Sequence, residues 1–270
     1  MADPRWTPTA DTPPVFARLS GDHNPVHLDP EHARAAGFET VIVHGMNVVG
    51  AAARAAHVFA PVGTMLRELD VRFAKPVLPG QTVAHAGACK EKGDAVKVAL
   101  TATLDDAEST RIMNPASFTF GSPEGDWPLP RGVVLDPEEK DVPGDVYRFD
   151  DAFLAEYDGI TAPDRTAAQE GVPPMAVFLG MTGALEKAFR GVEPEKPGTW
   201  VHLRQTGVFY APVRTGVDYR CRIQGGRTVV RNAKMGAHVT IPFVVESVDD
   251  NALAATGSCV LLYAFATEEE

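Results

Sequence analysis

An aspartate and a histidine five positions apart, Asp22 and His27, lie in the most distinctive stretch of the chain, FARLSGDHNPVHLDPEHARAAG, running from Phe16 to Gly37. A carboxylate and an imidazole that meet at one point can hold a water molecule between them. One then takes a proton from the water while the other handles the proton of a reacting carbon. On a continuous helix this spacing would rotate the two side chains about 140° apart. The local sequence breaks such a helix. An apolar helical piece, 15–19, stops at Gly21, and Asp22, His23, Asn24 and Pro25 have the residue types of a turn. Asp29 is a good N-cap, Pro30 suits a first helical position, Glu31 suits the positive helix end, and Gly37 is a stop. Two helical pieces thus brace a loop that can aim both side chains at one place. Each residue alone has a plainer reading, a turn aspartate and a satisfied loop histidine. The set Ser20, Gly21, Asp22, Asn24, Pro25, His27 and Asp29-Pro30 is far more specific.

The elements that must hold this loop read as two copies of one plan. LRELDVRFAKPVLPGQ, from Leu66, and LRQTGVFYAPVRTGVD, from Leu203, share L-R-x-x-x-V-x-aromatic-Ala followed by Pro-Val and a glycine. Upstream of them, GFETVIVHGM and GVPPMAVFLGM also match, and both run into an apolar helix-like stretch. The segment 121–145 is rich in Pro, Gly and acid and has no apolar period, so it reads as a linker. The expected division is a catalytic unit over 1–122, a linker over 123–144 and a second, degenerate unit over 145–270. In the first unit, 46–59 is apolar or small on nearly every face and predicts a buried helix. Strands are predicted over 67–76, 82–92, 96–105 and 111–120. The second unit predicts a helix over 174–189 and strands over 200–210, 217–223, 238–248 and 252–265, with Gly225-Gly226 as a hairpin turn. The expected class is α+β: a double hot-dog fold, two tandem units, each a curled antiparallel sheet around one central helix. Pairing of the units edge to edge would give one continuous sheet and remove exposed edges.

Bulk properties narrow the function. Hydrophobic residues make up 44% and charged residues 23%, an ordinary globular balance. The net charge of −11 argues against nucleic acid as a partner. Cys89, Cys221 and Cys259 are odd in number and widely spaced, which suggests neither a disulfide framework nor a cysteine metal site and suits the cytoplasm. The first residues have no secretory pattern, and no apolar run approaches the roughly 20 residues of a membrane span. No phosphate-binding or dinucleotide glycine pattern and no G-x-S-x-G elbow occurs. His23 and His27 have the spacing of a helical ligand pair, but Pro25 stands between them, and no metal is expected.

F-A-x-L-S-G-D-x-N-P-x-H-x-D-P, followed by V-x-H-G-M, resembles the signature of the MaoC-like hydratases, the R-specific enoyl-CoA hydratases. The likeness covers about Phe16 to Val49 closely and the rest of the first unit loosely. It implies hydration of a trans-2-enoyl thioester of coenzyme A or an acyl carrier protein to the (R)-3-hydroxyacyl form, or the reverse, without cofactor. It also implies that Asp22 and His27 are the catalytic pair, that Asn24 orients the loop and the water, and that the backbone N–H near Gly45 receives the thioester oxygen. His44 and Met46 flank that amide and are expected to contact substrate. A helix start offers an unpaired N–H and a positive dipole end, which suits the charge that forms on that oxygen. In the second unit the region from Phe153 to Gly171 holds Asp158-Gly159 and no histidine, and Leu179 replaces His44. One active site is therefore expected, with the second unit supportive. Arg72, Lys75, Arg111, Arg204 and Arg214 are candidates for a cationic entrance. A homodimer is the expected assembly. The competing readings are a hot-dog acyl-thioesterase and a non-catalytic acyl-thioester-binding protein.

Overall fold

A computed structural model of the chain describes residues 4–124, 127–130, 133–162, 172–189, 198–233 and 236–265. Parts of the expected linker and of the 153–171 stretch lie outside them. The organising element is helix α3, Gly45–Val58, where every residue from Met46 to Ala56 is buried. Its alanines let the neighbouring strands and helix approach closely. Four strands follow it, β2 (Met65–Phe73), β3 (Val83–Lys92), β4 (Ala95–Leu104) and β5 (Met113–Gly121), and each differs from the sequence expectation by no more than a few residues at its ends. Strand β4 alternates more and less buried positions over Leu100–Leu104 because one face packs inward and the other faces outward. Strand β1, Arg5–Trp6, adds to the free edge of β3, a pairing too short to predict.

The second unit repeats the plan. Strand β6, Val142–Arg148, and helix α4, Asp151–Thr161, precede a 3-10 turn over Pro174–Leu179 and helix α5, Gly180–Phe189. The single helix expected over 174–189 is thus a 3-10 segment joined to an α-helix. Then come β7 (Gly198–Phe209), β8 (Asp218–Ile223), β9 (Val229–Ala233), β10 (Gly236–Ser247) and β11 (Leu253–Phe265). Gly225–Arg227 forms a 3-10 turn between β8 and β9 where a two-residue hairpin was expected, because β8 and β9 both pair with β10 and do not pair with each other. Strand β6 begins inside the segment expected to be linker. Its edge pairing with β8 overrides a composition of Pro, Gly and acid.

One eleven-stranded sheet results, in the order β1-β3-β4-β5-β2-β7-β11-β10-β8-β6, with β9 beside β10. The two repeated sequence blocks form β2 and β7, and these pair antiparallel from Glu68↔Val208 to Arg72↔Arg204. The repeat therefore meets itself at the seam and leaves neither strand as an edge. No helix of the described residues is long and apolar enough to cross a membrane.

Helices α3 and α4 press the units together. Arg54, buried on α3, forms an ion pair with Asp158 and lies 5.9 Å from the Tyr157 ring centroid. Gly50 lies beneath Tyr157, and a Cβ there would meet the Tyr157 hydroxyl at 2.6 Å and Thr161 at 3.2 Å. Gly50 thus serves packing and not the acyl chain. Gly50→Ala is expected to cost about 1–3 kcal/mol by overpacking, read as a lower denaturant midpoint in urea unfolding.

Candidate active site

The loop that carries Asp22 and His27 is built as its residue types require. Helix α1, Thr12–Ser20, ends at Gly21, whose φ of +74° supplies the left-handed cap. The Ser20 hydroxyl donates to the Phe16 carbonyl at 2.7 Å and accepts the Asp22 N–H at 3.1 Å. Asp22 Oδ1 accepts the Asn24 N–H at 3.2 Å, and Asn24 Oδ1 accepts the Val26 N–H at 3.3 Å. A 3-10 turn over Pro25–His27 and helix α2, Pro30–Ala35, complete the loop, with Asp29 capping α2 through the N–H groups of Glu31 and His32. The sharp turn folds the five-residue interval back, so ligand atoms of Asp22, His27 and His44 lie within 4.8 Å of one another.

His27 Nδ1–H donates to the Ile42 carbonyl at 2.8 Å. That bond fixes the tautomer and leaves Nε2 as a lone-pair acceptor. Burial lowers the His27 pKa from its ordinary value, against the attraction of Asp22, so the ring is held neutral as a base. The His44 ring stacks on it, with centroids 3.8 Å apart and planes at 26°. His44 is buried, does not border the cavity, and donates Nε2–H to the Asp22 carbonyl at 3.0 Å. The substrate contact expected of His44 is therefore corrected: the side chain braces the Asp22–His27 loop from behind. Burial first, then the neighbouring His27, press its pKa down to about 3. Two imidazoles lying face to face do not converge their lone pairs on one ion, so this carboxylate and two histidines make a poor metal cage despite their closeness.

Asp22, Asn24, His27, Gly45 and Met46 border one cavity of about 720 Å³. Gly45 opens α3, and no side chain caps that helix. Intrahelical bonding begins with the N–H groups of Asn47 and Val48, both to the His44 carbonyl, so the N–H groups of Gly45 and Met46 precede it. A Cβ on Gly45 would meet Phe73 Cζ at 3.1 Å and the His202 ring at 3.4 Å. Of the five candidate entrance cations, Lys75 lines the cavity, whereas Arg204 is spent in an exposed ion pair with Asp70.

The second unit supplies much of the wall, through Leu185 and Phe189 of α5 and Trp200 and His202 of β7. Asn24 Nδ2 donates to the Trp200 carbonyl at 3.3 Å and ties the Asp22–His27 loop to that strand. None of these second-unit residues was singled out from sequence, because only the β2–β7 seam brings them across. In the second unit the space at the helix start that matches Gly45 is filled. Gly180 opens α5 as Gly45 opens α3, yet a Cβ there would lie 2.0 Å from the Tyr147 ring. Tyr147 is held in place by donating to the Val177 carbonyl at 2.6 Å. Asp158, the acid nearest the missing motif, is engaged with Arg54.

Burial also lowers His85 and His202, each to about 4. His27, His44, His85 and His202 are thus neutral in the fold and would charge near pH 6.5 when unfolded. Below that pH the unfolded chain binds more protons, so the stability is complete above about pH 6.5 and is lost as pH falls toward 4. Each such histidine contributes up to about 1.4 kcal/mol per pH unit over that window. A thermal unfolding series from pH 8 to 4 is expected to stay level and then fall steeply.

The fold is the double hot-dog, and among the described residues one cluster of a carboxylate and two histidines, Asp22, His27 and His44, lies near the seam. Residues 3–109 match the family model of the MaoC-like domain. Over 70 residues, 24% of the chain, the sequence is 49% identical to peroxisomal multifunctional enzyme type 2 of Mus musculus, of which 9% is covered. Over 116 residues, 42% of the chain, it is 35% identical to 3-hydroxyacyl-thioester dehydratase Y of Mycobacterium tuberculosis, of which 40% is covered. The matched stretches thus span less than half of either relative. Among solved structures, a MaoC domain protein of Chloroflexus aurantiacus superposes with a TM-score of 0.69 at 10% identity, covering 97% of this chain and 94% of that one. A Mycobacterium tuberculosis protein described as having a double hotdog fold superposes with a TM-score of 0.66 at 14% identity, covering 96% and 94%.

Proposed function

We propose that the protein is a hydratase that interconverts a trans-2-enoyl thioester and its (R)-3-hydroxyacyl form. The observation that carries this reading is the closeness of Asp22 and the His27 ring, with potential ligand atoms within 4.8 Å, beside the uncapped start of α3 in one largely apolar cavity. Water held between Asp22 and His27 gives a proton to Nε2 as its oxygen bonds to C3. The C2=C3 electrons shift toward the carbonyl, and the thioester oxygen takes up negative charge facing the amide of Gly45. Collapse of that enolate, with proton return from the imidazolium to C2, completes the addition of one water. The Asp22 carboxylate orients the water and offsets the transient charge on His27. Asn24 and His44 hold the loop, and Met46 borders the cavity where the substrate lies.

The relative named as a 3-hydroxyacyl-thioester dehydratase supports this substrate class, and the apolar wall of Phe189, Trp200 and Leu261 suits an acyl chain. The three cysteines are free thiols, in keeping with the cytoplasm, and a homodimer is the assembly to test by light scattering. An absorbance screen of enoyl-CoAs of graded length and branching, run beside a thiol-release assay, tests the activity. Loss of the enoyl absorbance without thiol release is expected. Thiol release would mark a thioesterase, and tight binding without turnover a carrier of acyl thioesters.

A further inference from the structure

His27 ends the 3-10 turn of its loop and lies buried against His44, the residue before α3. The two rings lie face to face, with centroids 3.8 Å apart and planes at 26°. The buried Phe16 ring packs on His44 in turn, with centroids 4.7 Å apart. Phe16, His44 and His27 thus form one column of rings, of which His27 borders the cavity. The His44 Nε2–H donates to the Asp22 carbonyl at 3.0 Å, which leaves Nδ1 bare in a neutral ring. Nδ1 is buried and has no partner among the described residues. Such a lone pair costs stability that an apolar side chain of equal bulk would not. What the ring adds beyond its hydrogen bond is its face, and the face lies on His27.

In the addition of water, a proton moves from the water to His27 Nε2 while the water oxygen bonds to C3. His27 thereby becomes a cation. A cation held within about 6 Å of an aromatic centroid and away from water is attracted by the π face. His44 offers its face at 3.8 Å, and burial keeps that ring neutral. We infer that His44 is a positioning residue whose ring face steadies the imidazolium that His27 becomes, so the base is a stacked pair of rings. The catalytic consequence rests on the hydratase reading, whereas the stack itself can be tested without substrate. The other ionisable groups around His27 are Asp22 of its own loop, His202 of β7 and, on the cavity wall, His23, Lys75 and Glu186. Substitutions at position 44 leave all of them in place.

His44→Gln keeps a donor for the Asp22 carbonyl and loses the ring. His44→Phe keeps a ring face and loses the donor. His44→Leu loses both, so its comparison with His44→Phe isolates the face should the glutamine variant not fold. The His27 Cε1 proton, followed by NMR in the substrate-free proteins, is expected to titrate about one pH unit lower in the glutamine and leucine variants than in the unaltered and phenylalanine proteins. That unit is the roughly tenfold preference of a desolvated cation for a ring face. The acid limb of kcat/KM on an accepted enoyl-CoA is expected to move down equally, with its plateau lowered by up to about tenfold. Loosened packing would act in the opposite direction, since water reaching His27 relieves the burial that lowers its pKa. An unmoved or raised titration in the ringless variants, or equal shifts with phenylalanine and leucine, would overturn the inference. The NMR shift in a protein that hydrates no enoyl thioester would remove the hydratase reading, and with it the catalytic role of the stack.

Discussion

Asp22→Asn is expected to lower hydration turnover by about a hundredfold or more, the scale of a preorganised group that stabilises charge in the transition state, while KM changes little. The asparagine keeps the size of the side chain and can still accept the Asn24 N–H that Asp22 Oδ1 now accepts at 3.2 Å, so the loop retains its fold. What disappears is the charge that attracts the water's proton and favours the imidazolium, the interaction that raises the His27 pKa against burial. His27→Ala removes the lone pair itself and belongs in the same range. It also takes away the ring on which His44 stacks. For that reason the asparagine variant is the cleaner one. Steady-state rates on an accepted enoyl-CoA, with far-UV circular dichroism as the folding control, decide the matter. Unchanged turnover in both variants would remove the mechanism.

The largest stability effect is expected away from the chemistry, at Asp141→Ala. Asp141 and Arg222 form an ion pair in which both side chains are nearly inaccessible, at 3% and 7% exposure. Arg222 also bonds the Leu135 carbonyl, and Gln224 Nε2 donates to the Val134 carbonyl at 2.5 Å. Strand β8 thus grips the end of the connection between the units. Removing Asp141 leaves the buried Arg222 with only a longer carboxylate contact, Glu246 at 3.5 Å, at a cost of up to about 3–5 kcal/mol. The double variant Asp141→Ala, Arg222→Met is expected to lose less, because no buried charge is left alone. Urea denaturation of the two variants makes the comparison. Equal losses would show that the pair matters for packing and not for charge.

How much of this could be read from the residues differs by element. The helix over α3 was legible because its apolar character is continuous, and the strands because they alternate with period two. The loop was legible because Gly21, Asn24, Pro25, Asp29 and Gly37 each act on the backbone within a few positions. The roles that depend on distant pairing were not. His202 is 175 positions from His27 in the sequence. It reaches the site only because β2 and β7 pair, and nothing in its neighbours marks it. His44 was visible beside Gly45, yet its direction was not: an N-cap side chain can face the cavity or the loop, and here packing against Phe16 and His27 turns it toward the Asp22 carbonyl. Tyr147, which fills the space at the second unit's helix start, lies at the edge of a stretch whose composition reads as linker.

The most direct test is a crystal structure of the Asp22→Asn protein with an (R)-3-hydroxyacyl thioester bound. The 3-hydroxyl should lie between residue 22 and His27 Nε2, with the thioester oxygen within hydrogen-bond reach of the Gly45 N–H. A thioester seated with its oxygen away from the start of α3, or with C3 turned from His27, would contradict the account.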